Sequence, residues 1–129
     1  MKTGVIETRV ARVRLEEDGI VRVVAIANRG EVMFNDAVEI LAAHVKVTGG
    51  KKLPALIDMR QTGSVSREAR QHLAGEEMTS VTSALALLTS SFLSKMVGNL
   101  YTGINNPGVP LKLFTSEVKA IEWLKGFLE

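Results

Sequence analysis

Three apolar runs, each handing over to a segment with helical character, constrain this chain more than any other feature. They are IVRVVAI at 20–26, LPALIDM at 53–59 and SALALLT at 83–89. Each has the length of a strand, and a nearly continuous apolar run such as 53–59 is expected of a strand covered on both faces. Strands that alternate with helices imply a largely parallel sheet with right-handed crossovers. The 129 residues suit one domain, 1–129. A domain of that size buries about two-thirds of its chain surface on folding, so it needs no metal or disulfide staple.

The flanking segments complete the pattern. Residues 8–15 alternate, with Ala11, Val13 and Leu15 on one face and Arg12 and Arg14 on the other. That is a half-buried strand. Asp18-Gly19 is a turn signal, so this strand and 20–26 form an antiparallel hairpin. Asn35 is placed to cap a helix running to about Thr48, with Phe34 or Val38, Leu41, Ala42 and Val45 inward. Gly49-Gly50 ends that helix. Ser66 is placed to cap a second helix, carrying Ala69 and Leu73 inward. Ser90 or Ser91 opens a third, with Phe92, Leu93, Met96, Val97, Leu100 and Tyr101 spaced three and four apart. Asn105-Asn106-Pro107-Gly108 breaks the chain before a short strand at 110–114. Ser116 opens a last helix that buries Val118, Ile121, Leu124, Phe127 and Leu128, with Trp123 beside them. The expected architecture is a five-stranded mixed sheet with four helices, in the order β-β-α-β-α-β-α-β-α.

Bulk properties exclude several classes. There is no cysteine, hence no disulfide framework, thiolate nucleophile or sulfur zinc site. The net charge of +2 is mild, and acids and bases are intermixed, which does not suit nucleic acid. Arg9, Arg12, Arg14 and Arg22 lie near Glu7, Glu16, Glu17 and Asp18, and no stacking aromatics accompany them. They read as edge protection. The first 19 residues lack a continuous apolar core, and no apolar run reaches the roughly 20 residues of a membrane span. A cytoplasmic location is the expectation.

Three stretches, LIDMRQTGSVSREAR, MVGNLYTGINNPGVPLKLF and TSEVKAIEWLKGFL, together with the element order, resemble the STAS-like fold of anti-sigma-factor antagonists. More narrowly they resemble an uncharacterised bacterial family of STAS-like proteins. The shape is related to that of CRAL-TRIO lipid-transfer domains. The resemblance implies a regulatory protein that a kinase phosphorylates on a serine at the start of the helix after the third strand. The antagonists carry Asp-Ser-Ser-Gly, or close to it, at that place. Here Gly63-Ser64-Val65-Ser66 stands instead.

The candidate site is therefore the junction from Asp58 to Arg70. Ser64 and Ser66 suit a phosphate acceptor or an anion site at a helix N-terminus, or else a loop serine and an N-cap. Asp58, ending a buried strand, would orient a ligand or water, bond to the following backbone, or pair with Arg67 or Arg70. Arg60, Arg67 and Arg70 form either a basic rim with forks for carboxylate or phosphate, or a solvated helix face. Met59, Asn99 and Tyr101 are candidate pocket residues, with core filling the alternative. His44 and His72 have no metal-ligand spacing, so no metal or cofactor is expected. A Ser64–His72–Asp58 triad lacks a nucleophile elbow. The expected function is a non-catalytic partner-binding or regulatory module, not an enzyme. The alternative is a small-molecule or lipid binder with a deep apolar pocket. The expected partner is a protein or a second copy of the chain, a homodimer formed through sheet edges or the helix with Trp123 and Phe127.

Overall fold

The structure, a computed structural model, describes residues 4–90 and 109–128. The apolar runs build a six-stranded sheet in the simple order β1-β2-β3-β4-β5-β6. The strands are β1 (Ile6–Glu7), β2 (Ala11–Leu15), β3 (Val21–Ala25), β4 (Leu53–Asp58), β5 (Thr82–Leu88) and β6 (Leu111–Phe114). The first three pair antiparallel and the rest parallel. Described helices are α1 (Phe34–Thr48), α2 (Arg67–Leu73) and α3 (Glu117–Lys125), with a single helical turn at Glu76–Thr79. The helix expected from Ser90 or Ser91 falls outside the described residues.

The expected five strands and four helices thus become six strands and three helices among the described residues. The extra strand arises because 8–15 does not run straight. Thr8 Oγ1 accepts from the amides of Val10 and Ala11, and the Thr8 amide donates to Ala11 at 2.7 Å. A hydroxyl that competes for backbone in this way makes a corner. Ile6–Glu7 folds back beyond it, with Glu7 opposite Arg12.

Pro54 sits in the central strand β4, where it cannot donate to a ladder. The β4–β5 register shifts between Leu53 and Ala55: Leu53 faces Thr82 while Ala55 faces Leu85. An irregularity of this kind is where a sheet tolerates proline.

Two cores lie on opposite faces. On one, Val13, Val23, Ala55, Leu85 and Leu87 meet Ala37, Ile40 and Ala43 of α1 and Ala69 of α2. On the other, Leu56, Ala84, Ala86, Leu88 and Phe114 meet Ala120 and Leu124 of α3. Trp123 packs on Phe114 and Phe127, with ring centroids 5.7 and 4.9 Å away.

Helix faces match expectation at Leu41 and Leu124 but not at Phe34, Val38, Ala42 and Val118. In α1 the buried residues are Asp36, Ala37, Ile40, Leu41, Ala43, His44 and Thr48, while Phe34 and Val38 are exposed. The helix begins two residues earlier than an Asn35 cap would set it, with Met33 as N-cap. In α3, Ala120 and Leu124 face the sheet, whereas Val118 is 70% exposed. Gly49 ends α1 at φ 64°, the left-handed cap conformation.

Candidate functional site

The carboxyl end of β4 places Asp58 against the next residue but one. Arg60 donates to it through Nε at 2.9 Å and Nη2 at 2.7 Å, and the Arg60 amide adds a contact at 3.2 Å. Burial pulls the Asp58 carboxyl upward, but these bonds more than offset it and leave its pKa lowered. Arg60 also reaches Glu117, the first residue of α3, at 3.4 Å. Its partners are therefore Asp58 and Glu117, and Asp58 pairs with neither Arg67 nor Arg70.

The polar loop that follows is fastened at the backbone. Val32 donates to the Ser64 carbonyl and Ser66 donates to the Val32 carbonyl, both at 2.9 Å, forming a parallel bridge between Val32 and Val65. Arg70 turns inward and its Nη1 donates to Val65 O at 2.9 Å. Ser66 Oγ accepts from the Ala69 amide at 3.1 Å, so it is the N-cap of α2. Ser64 stays exposed. Arg67 is exposed and makes no ion pair among the described residues. The three arginines thus do not form one rim: one is paired, one is turned in, one is free. Asn99 and Tyr101 lie outside the described residues.

A second clamp, between residues far apart in the chain, holds the segment that carries Val32. Arg9 grips Asp36 through Nε at 2.9 Å and Nη2 at 2.6 Å, and donates to the carbonyls of Arg29 and Glu31. Asp36 also accepts from the Met33 amide at 2.8 Å. An acid three residues after the N-cap has this reach, which is the one signal that would have pointed to it. The Arg9 guanidinium holds the buried Asp36 carboxyl below the usual carboxylate range.

Beside the loop, α1 leaves Met33 49% and Phe34 47% exposed, and Val38 is exposed as well. The Phe34 ring meets the His72 ring of α2 edge-on at 5.3 Å. His72 therefore faces an aromatic ring, and the Ser64–His72–Asp58 triad is not assembled. His44 is fully buried on α1, and desolvation pushes its pKa down to about 4. Among the described residues no cluster of three or more histidines or acids could hold a metal. Each of the hairpin arginines holds a carboxylate: Arg9–Asp36, Arg12–Glu7, Arg14–Glu16 and Arg22–Asp18. No described helix is long and apolar enough to cross a membrane.

Beneath the loop, between the sheet and the α1–α2 layer, is a cavity of about 90 Å³. Met59 lines it, together with Val10, Val23, Ile40, Leu87 and others. Drug-sized ligands occupy about 300–1,000 Å³, so a lipid chain would need several times this room.

A family model, the domain of unknown function DUF7793, matches residues 13–128. The chain belongs to this family. Among solved structures it is similar to an uncharacterised DUF3478-family protein with a SpoIIAA-like fold from Shewanella loihica PV-4. The two share 17% identity over 94% of each chain, with a TM-score of 0.59. A protein of unknown function from an Arthrobacter species is 27% identical, covering 92% of this chain and 95% of that one, with a TM-score of 0.32. The search of curated proteins gives no match. The likeness to the Shewanella protein shows the fold, which is SpoIIAA-like, as the STAS-type pattern of the sequence implies.

Proposed function

We propose that this chain is a non-catalytic regulatory module that binds a protein partner through one face. That face comprises the 60–66 loop, the start of α2 with Arg67, and Met33, Phe34 and Val38 of α1. The observation that carries the reading is a loop fastened at its backbone beside exposed apolar side chains. The Val32–Val65 bridge holds the loop from its backbone, so Ser64 is presented without local folding on binding. Large apolar residues exposed next to a polar rim are what a protein interface uses at its centre. The SpoIIAA-like fold agrees with a regulatory role by analogy of architecture.

Ser64 is the proposed point of control. A phosphate there would add strong acceptors beside the free guanidinium of Arg67 and change the charge of the docking face. Ser66, already a cap, is the second candidate. Photo-crosslinkers placed at Ser64 and at Phe34 in the native host should trap the same protein, and one at Val118 on α3 should not. Equal adducts at all three positions, or none at any, would overturn the docking face. Intact-mass analysis of the chain and its Ser64→Ala and Ser66→Ala variants tests the switch. The absence of any phosphorylated species across growth conditions would remove it.

A further inference from the structure

The arginines of this chain sort into two groups. Arg9, Arg12, Arg14, Arg22 and Arg60 each hold a carboxylate. Arg29, Arg67 and Arg70 hold none among the described residues. Arg29 gives its Nη1 to the Arg9 carbonyl from the loop after β3. Arg67 and Arg70 stand together on α2. Residues three apart on a helix share one side of it, with Cβ atoms about 5–6 Å apart. Glu68 lies between them in the chain but points about 100° away around the helix, and it pairs with neither. Residues 90–108 contain no aspartate or glutamate, so that stretch has no side-chain carboxylate to offer.

The Arg70 guanidinium is also drawn part-way out of water. Its Nη1 donates to Val65 O at 2.9 Å, its Nε is buried without a partner, and its Nη2 makes no hydrogen bond among the described residues. A cation that loses water beside a like charge is costly unless an anion meets it. Two planar forks with donors to spare suit an oxyanion with several acceptors.

We infer that Arg67 and Arg70 form a receptor for one phosphate monoester group. Arg70, fixed by Val65 O, is the anchored donor, and Arg67 is the exposed one. Charge selects phosphate over carboxylate: a monoester brings about −1.5 to −2 at neutral pH to two guanidiniums, where a carboxylate neutralises one. The group has two possible sources. One is a phosphate on Ser64, which is exposed and directly precedes Val65 in the chain. The other is a free phosphate monoester. The first source rests on Ser64 as the point of control, and the receptor itself does not.

The test follows the arginine Nε–Hε signals of the nitrogen-15 labelled full chain. Free O-phosphoserine should move those of Arg67 and Arg70 saturably, with a Kd on the order of 1 mM for two charge-assisted contacts. The signal of Arg12, paired with Glu7, should stay in place. Acetate should bind at least about ten-fold more weakly, the worth of one such contact. Sodium chloride at equal ionic strength should move neither signal. Arg67→Gln, at an exposed position, should weaken O-phosphoserine about ten-fold, and so should Arg70→Gln. If Arg70→Gln does not fold, Arg67→Gln carries the test. A second arm installs phosphoserine at position 64 during translation. With Ser64 as the source, its phosphorus-31 titration should lie below the ordinary second pKa of about 6, return toward it in Arg67→Gln, and block added O-phosphoserine. An unshifted titration with O-phosphoserine still binding assigns the receptor to a free monoester. Unmoved arginine signals in both arms overturn the receptor, as does binding that Arg67→Gln leaves unchanged. Acetate as tight as O-phosphoserine overturns the assigned ligand class.

Discussion

Two arginine–carboxylate clamps flank the candidate site, and they differ in almost everything but chemistry. Arg60 grips Asp58 two residues away, at the surface. Arg9 grips Asp36 across 27 residues, and Asp36 is buried at the start of α1. Both forks make two bonds to one carboxylate. The local clamp restrains a loop that its own strand already positions. The distant clamp joins the β1–β2 corner, the 29–31 segment and α1, and so positions Val32, which in turn holds the loop. Partners that are close in sequence cost little chain entropy to bring together, and those far apart require a formed tertiary structure.

The comparison implies that energetic weight follows burial, and the largest test lies at its buried extreme. His44 is buried with neither ring nitrogen hydrogen-bonded. Its folded pKa of about 4 lies below the ordinary value of 6.5. The unfolded chain takes up the proton first as pH falls. The stability from neutral His44 is therefore complete above pH 6.5 and is lost on the way down to pH 4. Urea titrations across this window should show a loss of about 3 kcal/mol that His44→Leu does not show. Parallel pH profiles for the two proteins would contradict it.

Asp36→Ala comes next. It removes the distant clamp and the bond to the Met33 amide, and should cost about 2 kcal/mol in denaturant unfolding at neutral pH. Its folded pKa is lowered, so the stability it adds is present above the ordinary carboxylate value and lost as pH falls through the folded one. The variant should lack that acid limb. A loss no larger than that of Arg60→Ala would break the contrast between the clamps.

Ser66→Ala removes the cap bond to the Ala69 amide and should cost about 1 kcal/mol. Ser64→Ala, at an exposed position, should stay within about 0.5 kcal/mol. A reversed order would mean that the cap is not where α2 gains its start.

Arg60→Ala is the smallest. The pair is at the surface and should contribute well under 1 kcal/mol, less still in high salt. Its clearer trace is Asp58, whose carboxyl titration, followed by NMR, should move upward once the fork is gone. An unmoved titration would show that the fork does not set it.

Much of the scaffold was legible because it is local. The runs at 20–26, 53–59 and 83–89 become β3, β4 and β5, with no end more than one residue from its expected place. Ser66 and Ser116 cap helices as their positions suggest, since a hydroxyl reaches amides only three residues ahead. The faces of α1 and α3 were legible only in part: Leu41 and Leu124 are buried as expected. Phe34, Val38 and Val118 are apolar yet outward, and Asp36 and His44 are inward. An apolar stripe locates a core only when every apolar residue serves it, and here some stand on the proposed docking face.

The sequence alone determined five of the six strands, the starts of α2 and α3, the parallel pairing implied by alternation and the junction that holds Asp58, Arg60, Ser64 and Ser66. These follow from period, capping and turn chemistry, which act over a few residues. Only the tertiary structure decided that Arg9 meets Asp36, that Val32 bridges Val65, and that Arg70 turns in while Arg67 stays out. It alone opened a small apolar cavity behind the loop. Those outcomes depend on which distant segments share space, and no local pattern carries that information.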